Sequence, residues 1–168
     1  MKKLLLAIAL LSCGLSAQAQ KWNVDKSHSK LGFSVVHLSI SDVEGAFKIT
    51  EATMTSAKDD FTDAKFNIVA DVNTVFTDNE RRDTHLKSPD FFDAAKFPTL
   101  TFASKSISKV ADRKYKLAGD LTMHGVTKPV TLTAYGASKI VKDPYGMERY
   151  AFKVVGKLNR KDFGLSSL

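Results

Sequence analysis

Cysteine is nearly missing from this chain. Cys13 is the one cysteine among 168 residues, and it falls inside an N-terminal segment with the anatomy of a cleaved leader. A folded protein without it has no disulfide, no thiol nucleophile and no thiolate metal site. No apolar run reaches the ~20 residues that a membrane-crossing helix needs. There is no low-complexity linker and no internal repeat. H-E-x-x-H and cysteine-rich ligand spacings are absent, and so are a serine nucleophile elbow and a motif-held carboxylate pair. These absences leave catalysis a minor alternative and point toward binding.

The leader is short and well marked. Lys2 and Lys3 form a basic start, Leu4 to Leu11 an apolar stretch, and Ala17-Gln18-Ala19 an A-x-A cleavage site. Residues 1–19 are therefore expected to be a signal peptide, and residues 20–168 a single domain of about 150 residues. A rival reading takes Leu10-Leu11-Ser12-Cys13 as a lipobox that lipidates Cys13. The apolar stretch before Cys13 is short for that, and the A-x-A site favours cleavage. Export without disulfides suits a protein of the bacterial periplasm. Loss of Lys2 and Lys3 lowers the formal charge from +7 to +5. The remaining basic residues are spread along strands rather than bunched with aromatics, so no nucleic-acid partner is expected. Transient contact with an anionic membrane surface stays open, as does a homodimer.

What fills the chain is alternation with period two. Leu31, Phe33, Val35 and His37 share one face of a first long strand. Val43, Gly45, Phe47 and Ile49 follow, then Ala64, Phe66, Ile68, Ala70 and Val72. Leu100 and Phe102 begin the next, and Tyr115, Leu117, Gly119, Leu121 and Met123 another. Val130, Leu132 and Ala134, then Tyr150, Phe152, Val154, Gly156 and Leu158, complete about seven strands, each with one apolar and one wet face. His124-Gly125 reads as a two-residue hairpin turn needing positive φ, and Pro144-Tyr145-Gly146 as a turn between the last two strands. Glycines inside strands mark bends and favour a curled, barrel-like sheet. Eleven phenylalanines suggest an apolar interior lined by rings, and a small closed barrel has room for one small ligand.

The alternation stops between Thr77 and Asp93. Thr77-x-x-Glu80 has the pattern of a capping box, which places a helix from Asp78 to about Lys87. Ser88 then caps a second turn with Pro89 at its first position, and Phe91-Phe92 lie in that turn. Arg81, Arg82, Asp83 and His85 read either as a solvated helix with local ion pairs or as a functional group. The four histidines carry no ligand spacing: His28 and His37 are nine residues apart, and His124 sits in a turn as a solvated residue. His37, on the face of Phe33 and Val35, is either a core histidine bonded to a neighbouring strand or a polar anchor for a ligand head group. No metal and no cofactor are expected.

Six stretches together resemble one family. They are Trp22-Asn23-Val24-Asp25-Lys26-Ser27-His28-Ser29 running on to Phe33 and His37, Gly45-Ala46-Phe47, and Arg82 through Asp93. Phe97-Pro98-Thr99-Leu100-Thr101-Phe102, Gly119 through Val130, and Asn159-Arg160-Lys161-Asp162-Phe163-Gly164 complete the set. In these the chain resembles the YceI-like family of exported lipid-binding proteins, over nearly all of the segment after the leader. The resemblance implies an all-β, antiparallel, lipocalin-like barrel of about eight strands with one or two short helices. It also implies a polyisoprenoid or other long-chain lipid held in an elongated apolar channel. The family continues past Asn159–Gly164 into a final strand, so the domain is expected to be truncated at its C-terminus. Backbone groups near residues 21–37 and 149–158 are then expected to lack partners.

The expected function is that of a periplasmic binding protein for a long-chain amphiphile, serving transport, storage or stress, and no residue is assigned to catalysis. Phe33, Val35, Phe47, Phe66, Ile68, Phe102, Leu117 and Leu121 are expected to line the channel, with Phe91 and Phe92 near its mouth. His37, Arg81, Arg82 and His85 are candidate head-group contacts. The alternative is an enzyme or redox accessory acting on a quinone-like lipid. A third reading is an outer-membrane barrel, apolar outside and polar within.

Overall fold

The computed structural model describes residues 19–165; the expected signal peptide, its cleavage site and Cys13 lie outside them, apart from Ala19. Ten strands follow in chain order: β1 Gln20–Asn23, β2 Lys30–His37, β3 Ser41–Ser56, β4 Lys65–Phe76, β5 Thr99–Ala111, β6 Lys114–Met123, β7 Val126–Gly136, β8 Val141–Lys142, β9 Glu148–Arg149 and β10 Phe152–Val155. One helix, α1 Glu80–Lys87, stands between β4 and β5, and a 3-10 turn at Arg160–Phe163 follows β10. Eight strands form one antiparallel sheet in the order β1-β3-β4-β5-β6-β7-β10, with β2 also on β3, while β8 and β9 form a small separate hairpin.

The long β3 explains how two short strands share one neighbour. Its first half pairs β2 from Ser41 to Lys48, and its far end pairs β1 from Thr53 to Ser56. The other side of β3 runs along β4 with a break, where Ala46 opposes Phe76 but Lys48 opposes Asp71. Thr74 fills that break: its hydroxyl accepts from the Lys48 amide at 2.8 Å and donates to the Asp71 carbonyl at 2.6 Å. Such a bulge bends the strand and increases its twist, and here it curls the sheet. Gly119 has a similar role in β6, because a Cβ there would stand 2.4 Å from the Ala103 carbonyl oxygen and 2.7 Å from the Phe102 ring. Only glycine lets β5 and β6 approach this closely.

The curl buries the apolar face. Leu117, Ala70, Ala134 and Val72 are almost fully buried, while Lys114 and Lys116, on either side of buried Tyr115, face water. Apolar residues inside and lysines outside are the reverse of an outer-membrane barrel, so the third reading does not fit. The sheet is a half-barrel. β10 pairs only β7, and β1 and β2 pair only β3, so among the described residues no ladder joins β10 to β1 or β2. A seam runs between those edges, and the expectation of unpaired backbone holds for one side only: residues 20–23 and 30–37 are paired with β3 and residues 152–155 with β7.

Several local expectations need correction. The capping box at Thr77 does not form. Asn79 is the N-cap, with its side-chain oxygen accepting from the Arg82 amide at 2.9 Å, and the helix begins at Glu80. Thr77 is instead buried, and both its amide and its hydroxyl donate to Asp83 Oδ1, at 2.9 and 2.6 Å. Asp78, at φ 59, makes the sharp bend that shifts the start. After α1, residues 88–94 fold back as a non-helical turn, with the Phe92 amide donating to Leu86 and the Ala94 amide to Lys87. His37 ends β2 exposed to solvent, so it is neither a buried core histidine nor a group inside the barrel. His124 is more than a solvated turn residue: its Nδ1 lies 3.2 Å from the Phe163 carbonyl and its ring stacks edge-on to Phe97. The hairpin itself is as expected, with His124 at φ 53 and Gly125 at φ 73.

Candidate functional site

The interior divides into two clusters. One, beneath α1, gathers Phe47, Val72, Val75 and Leu100, with Phe92 edge-on to Phe47 at 5.3 Å between ring centres. It is packed solid. The other holds Met54, Phe61, Phe66, Phe102, Tyr115 and Leu117, and beside it the seam opens into a cavity of about 780 Å³. That volume is in the range of ligand pockets, about 300–1,000 Å³.

The walls of the cavity come from both sides of the seam. Trp22 of β1, Ala52 and Met54 of β3, and Phe66 and Ile68 of β4 supply one side; Tyr150 and Phe152 supply the other. The aromatic groups lock one another in place. Phe61 sits behind them, 4.5 Å from Tyr150, 5.5 Å from Phe152 and 6.1 Å from Trp22 by ring centres. Phe61 holds φ 57, an unfavourable conformation for a bulky residue, and its burial in this cluster accounts for its being kept there. The Tyr150 hydroxyl donates to the Ala137 carbonyl at 2.9 Å, and burial raises its pKa.

The mouth is polar. The β8–β9 hairpin arches over it, and Asp143 organises the turn by accepting from the Tyr145 and Met147 amides, each at 2.9 Å. Arg149 reaches back to Asp143 at 2.9 Å and lies 3.7 Å from Asp25, two residues past β1. Asp25 also accepts from His28 at 3.0 Å and from the Ser27 amide at 3.1 Å. Gln20 donates to Glu148 at 3.3 Å. Side chains thus bridge the seam where backbone pairing is lacking. The His28 hydrogen bond is the largest influence lowering the Asp25 pKa, and the Met147 amide, followed by Arg149, lowers that of Asp143. Both carboxylates are ionised at neutral pH.

Of the residues expected from sequence, Phe66 and Ile68 line this cavity. Phe102 and Leu117 are buried in the cluster behind it, and Leu121 is half-buried against them. Phe33, Phe47 and Phe92 belong to the cluster under α1, and Val35 is 41% exposed on β2. Phe91 stacks edge-on with His85 at 4.8 Å. Arg81 is exposed, and Arg82 spends its Nε and one terminal nitrogen on Thr77, at 2.8 and 2.7 Å. These helix residues stand at the end of the half-barrel where Ala46 opposes Phe76, whereas the cavity opens beside Ala52–Met54. Sequence reasoning did not single out Trp22, Met54, Tyr150, Phe152 or the β8–β9 hairpin as ligand contacts. The available signals were the lone tryptophan and the Asp-Pro-Tyr-Gly turn beside two aromatic residues.

A curled antiparallel half-barrel with an apolar cavity and a polar mouth is a binding-protein architecture. The chain belongs to the YceI-like family, whose domain matches residues 22–168. It is 38% identical over 175 aligned positions to Protein YceI of Salmonella newport, covering 99% of this chain and 89% of that protein. The crystal structure of the Campylobacter jejuni YCEI protein superposes with a TM-score of 0.62 at 32% identity, over 85% of this chain and 83% of the other. Two more distant structures share the fold. Burkholderia cenocepacia BcnA has a TM-score of 0.72 at 23% identity, over 86% of each chain. A polyisoprenoid binding domain from Saccharophagus degradans has a TM-score of 0.57 at 12% identity, over 89% of this chain and 83% of that one.

Proposed function

We propose that this protein is an exported, periplasmic binding protein that holds a polyisoprenoid or similar long-chain amphiphile in the seam cavity and releases it unchanged. The observation carrying this reading is the cavity of about 780 Å³ walled by Trp22, Met54, Phe66, Ile68, Tyr150 and Phe152. Each CH₂ removed from water contributes about 0.8 kcal/mol, so an isoprenoid tail gains strongly from such walls. A seam bridged by side chains can admit a long chain sideways. The description of the Saccharophagus domain as polyisoprenoid binding and the leader-like residues 1–19 support the reading.

Trp22 is the single tryptophan of the chain and lines the cavity, so its emission reports occupancy directly. Titration of the delipidated protein with a polyprenol is expected to shift that emission saturably, and organic extraction of natively purified protein is expected to yield a long-chain lipid. A titration without any saturable change, together with repeated lipid-free extracts, refutes the proposal.

A further inference from the structure

The mouth of the cavity carries an unequal set of charges. Asp25, Asp143 and Glu148 line it, against Arg149 and Lys139, with His28 beside them. Arg149 is already committed: it is bonded to Asp143 at 2.9 Å and lies 3.7 Å from Asp25. The charges of Arg149 and Asp143 therefore largely cancel for any incoming group, and the lining leaves Asp25 and Glu148 against Lys139. The Asp25 and Asp143 carboxylates are held by backbone amides of Ser27, Tyr145 and Met147, and among the described residues Glu148 accepts only from the Gln20 side chain at 3.3 Å. The apolar walls just inside strengthen the field felt at the entrance, because a low-dielectric surface focuses it.

We propose that this rim selects the head group of the ligand: an uncharged, hydrogen-bonding head such as an alcohol is accepted, and the same chain ending in a phosphate is disfavoured. The inference rests on the cavity being the binding site. The chemistry is direct. A hydroxyl can donate to Glu148 or to a rim carboxylate and accept from Lys139. A phosphate can only accept when fully ionised, and it brings roughly two negative charges toward a rim lined by one more carboxylate than cations. At an effective dielectric between that of protein and water, such repulsion over several ångströms amounts to about a tenfold loss of affinity.

Farnesol and farnesyl monophosphate have the same tail and differ only in the head, so the test is to titrate each into the full protein at pH 7.5, following Trp22 emission and checking by equilibrium dialysis. The phosphate is expected to bind about tenfold more weakly at low salt, with the gap closing at about 0.5 M NaCl as rim charges are screened. Glu148→Gln is expected to raise phosphate affinity about threefold. Phosphate binding as tight as farnesol or tighter at low salt overturns head-group selection while leaving the cavity reading intact, and so does a gap that neither salt nor Glu148→Gln changes. Absence of binding by both compounds overturns the cavity reading, and this inference with it.

Discussion

Replacing Phe152 with alanine removes the side chain that ties the last strand of the sheet to the cavity wall. β10 is four residues long and, among the described residues, pairs on one side only, so backbone hydrogen bonds alone hold it weakly. The Phe152 ring meets Tyr150 at 5.0 Å, Phe66 at 5.2 Å, Phe61 at 5.5 Å and Tyr115 at 6.2 Å. A fully buried Phe→Ala change costs about 3–5 kcal/mol. Phe152 is only half-buried, which places the expected loss near the lower end, about 3 kcal/mol. The ring-pair attractions are already contained in that figure and are not added again. For a domain of this size each kcal/mol moves Tm by roughly 2–4 °C, so Tm is expected to fall by about 6–12 °C. Phe152→Leu keeps apolar volume and is expected to cost about 1 kcal/mol. Urea unfolding followed in parallel by circular dichroism and Trp22 emission measures both effects. If Phe152→Ala stays within about 1 kcal/mol of the parent, the aromatic cluster does not anchor β10 and the reasoning fails.

Gly119→Ala is expected to destabilise by about 2–3 kcal/mol, since its Cβ would meet the Ala103 carbonyl at 2.4 Å; a normal urea midpoint would show that β5 and β6 can separate there. Asn79→Ala removes the N-cap of α1 and is expected to cost about 1 kcal/mol, with Asn79→Asp restoring it in the same denaturation assay. Acid should unfold the protein through its hydrogen-bonded aspartates. Hydrogen bonds lower Asp25, Asp60, Asp63 and Asp143 below the ordinary 3.8, so the unfolded chain takes up protons first as pH drops. Their stabilisation is complete well above 3.8 and is lost as pH falls through and below it. Asp63→Asn, which loses the charge held by Ser56 and the Ala57 amide, is expected to flatten that acid slope in a CD titration; an unchanged slope counts against the assignment.

Features that depend on neighbours along the chain are legible in the sequence. Alternation at Phe66, Ile68, Ala70 and Val72 sets which face of β4 is buried, because side chains of a strand point alternately to opposite sides. His124-Gly125 specified a tight turn through the backbone angles it requires. The charged break near residue 80 announced a helix, although a bend at Asp78 moved its cap from Thr77 to Asn79. The tertiary structure alone decided where the sheet curls, where its edges face each other, and hence where the cavity opens. Trp22 and Phe152 lie about 130 residues apart and become two walls of one space only after β3 and β7 have brought β1 and β10 to opposite sides of the seam. The same closure left Phe91, Arg82 and His85 at the other end of the half-barrel. Periodicity reports which way a side chain points from its own strand; it carries no information about what stands across the gap, because that is set by register, bulges and twist summed over the whole sheet.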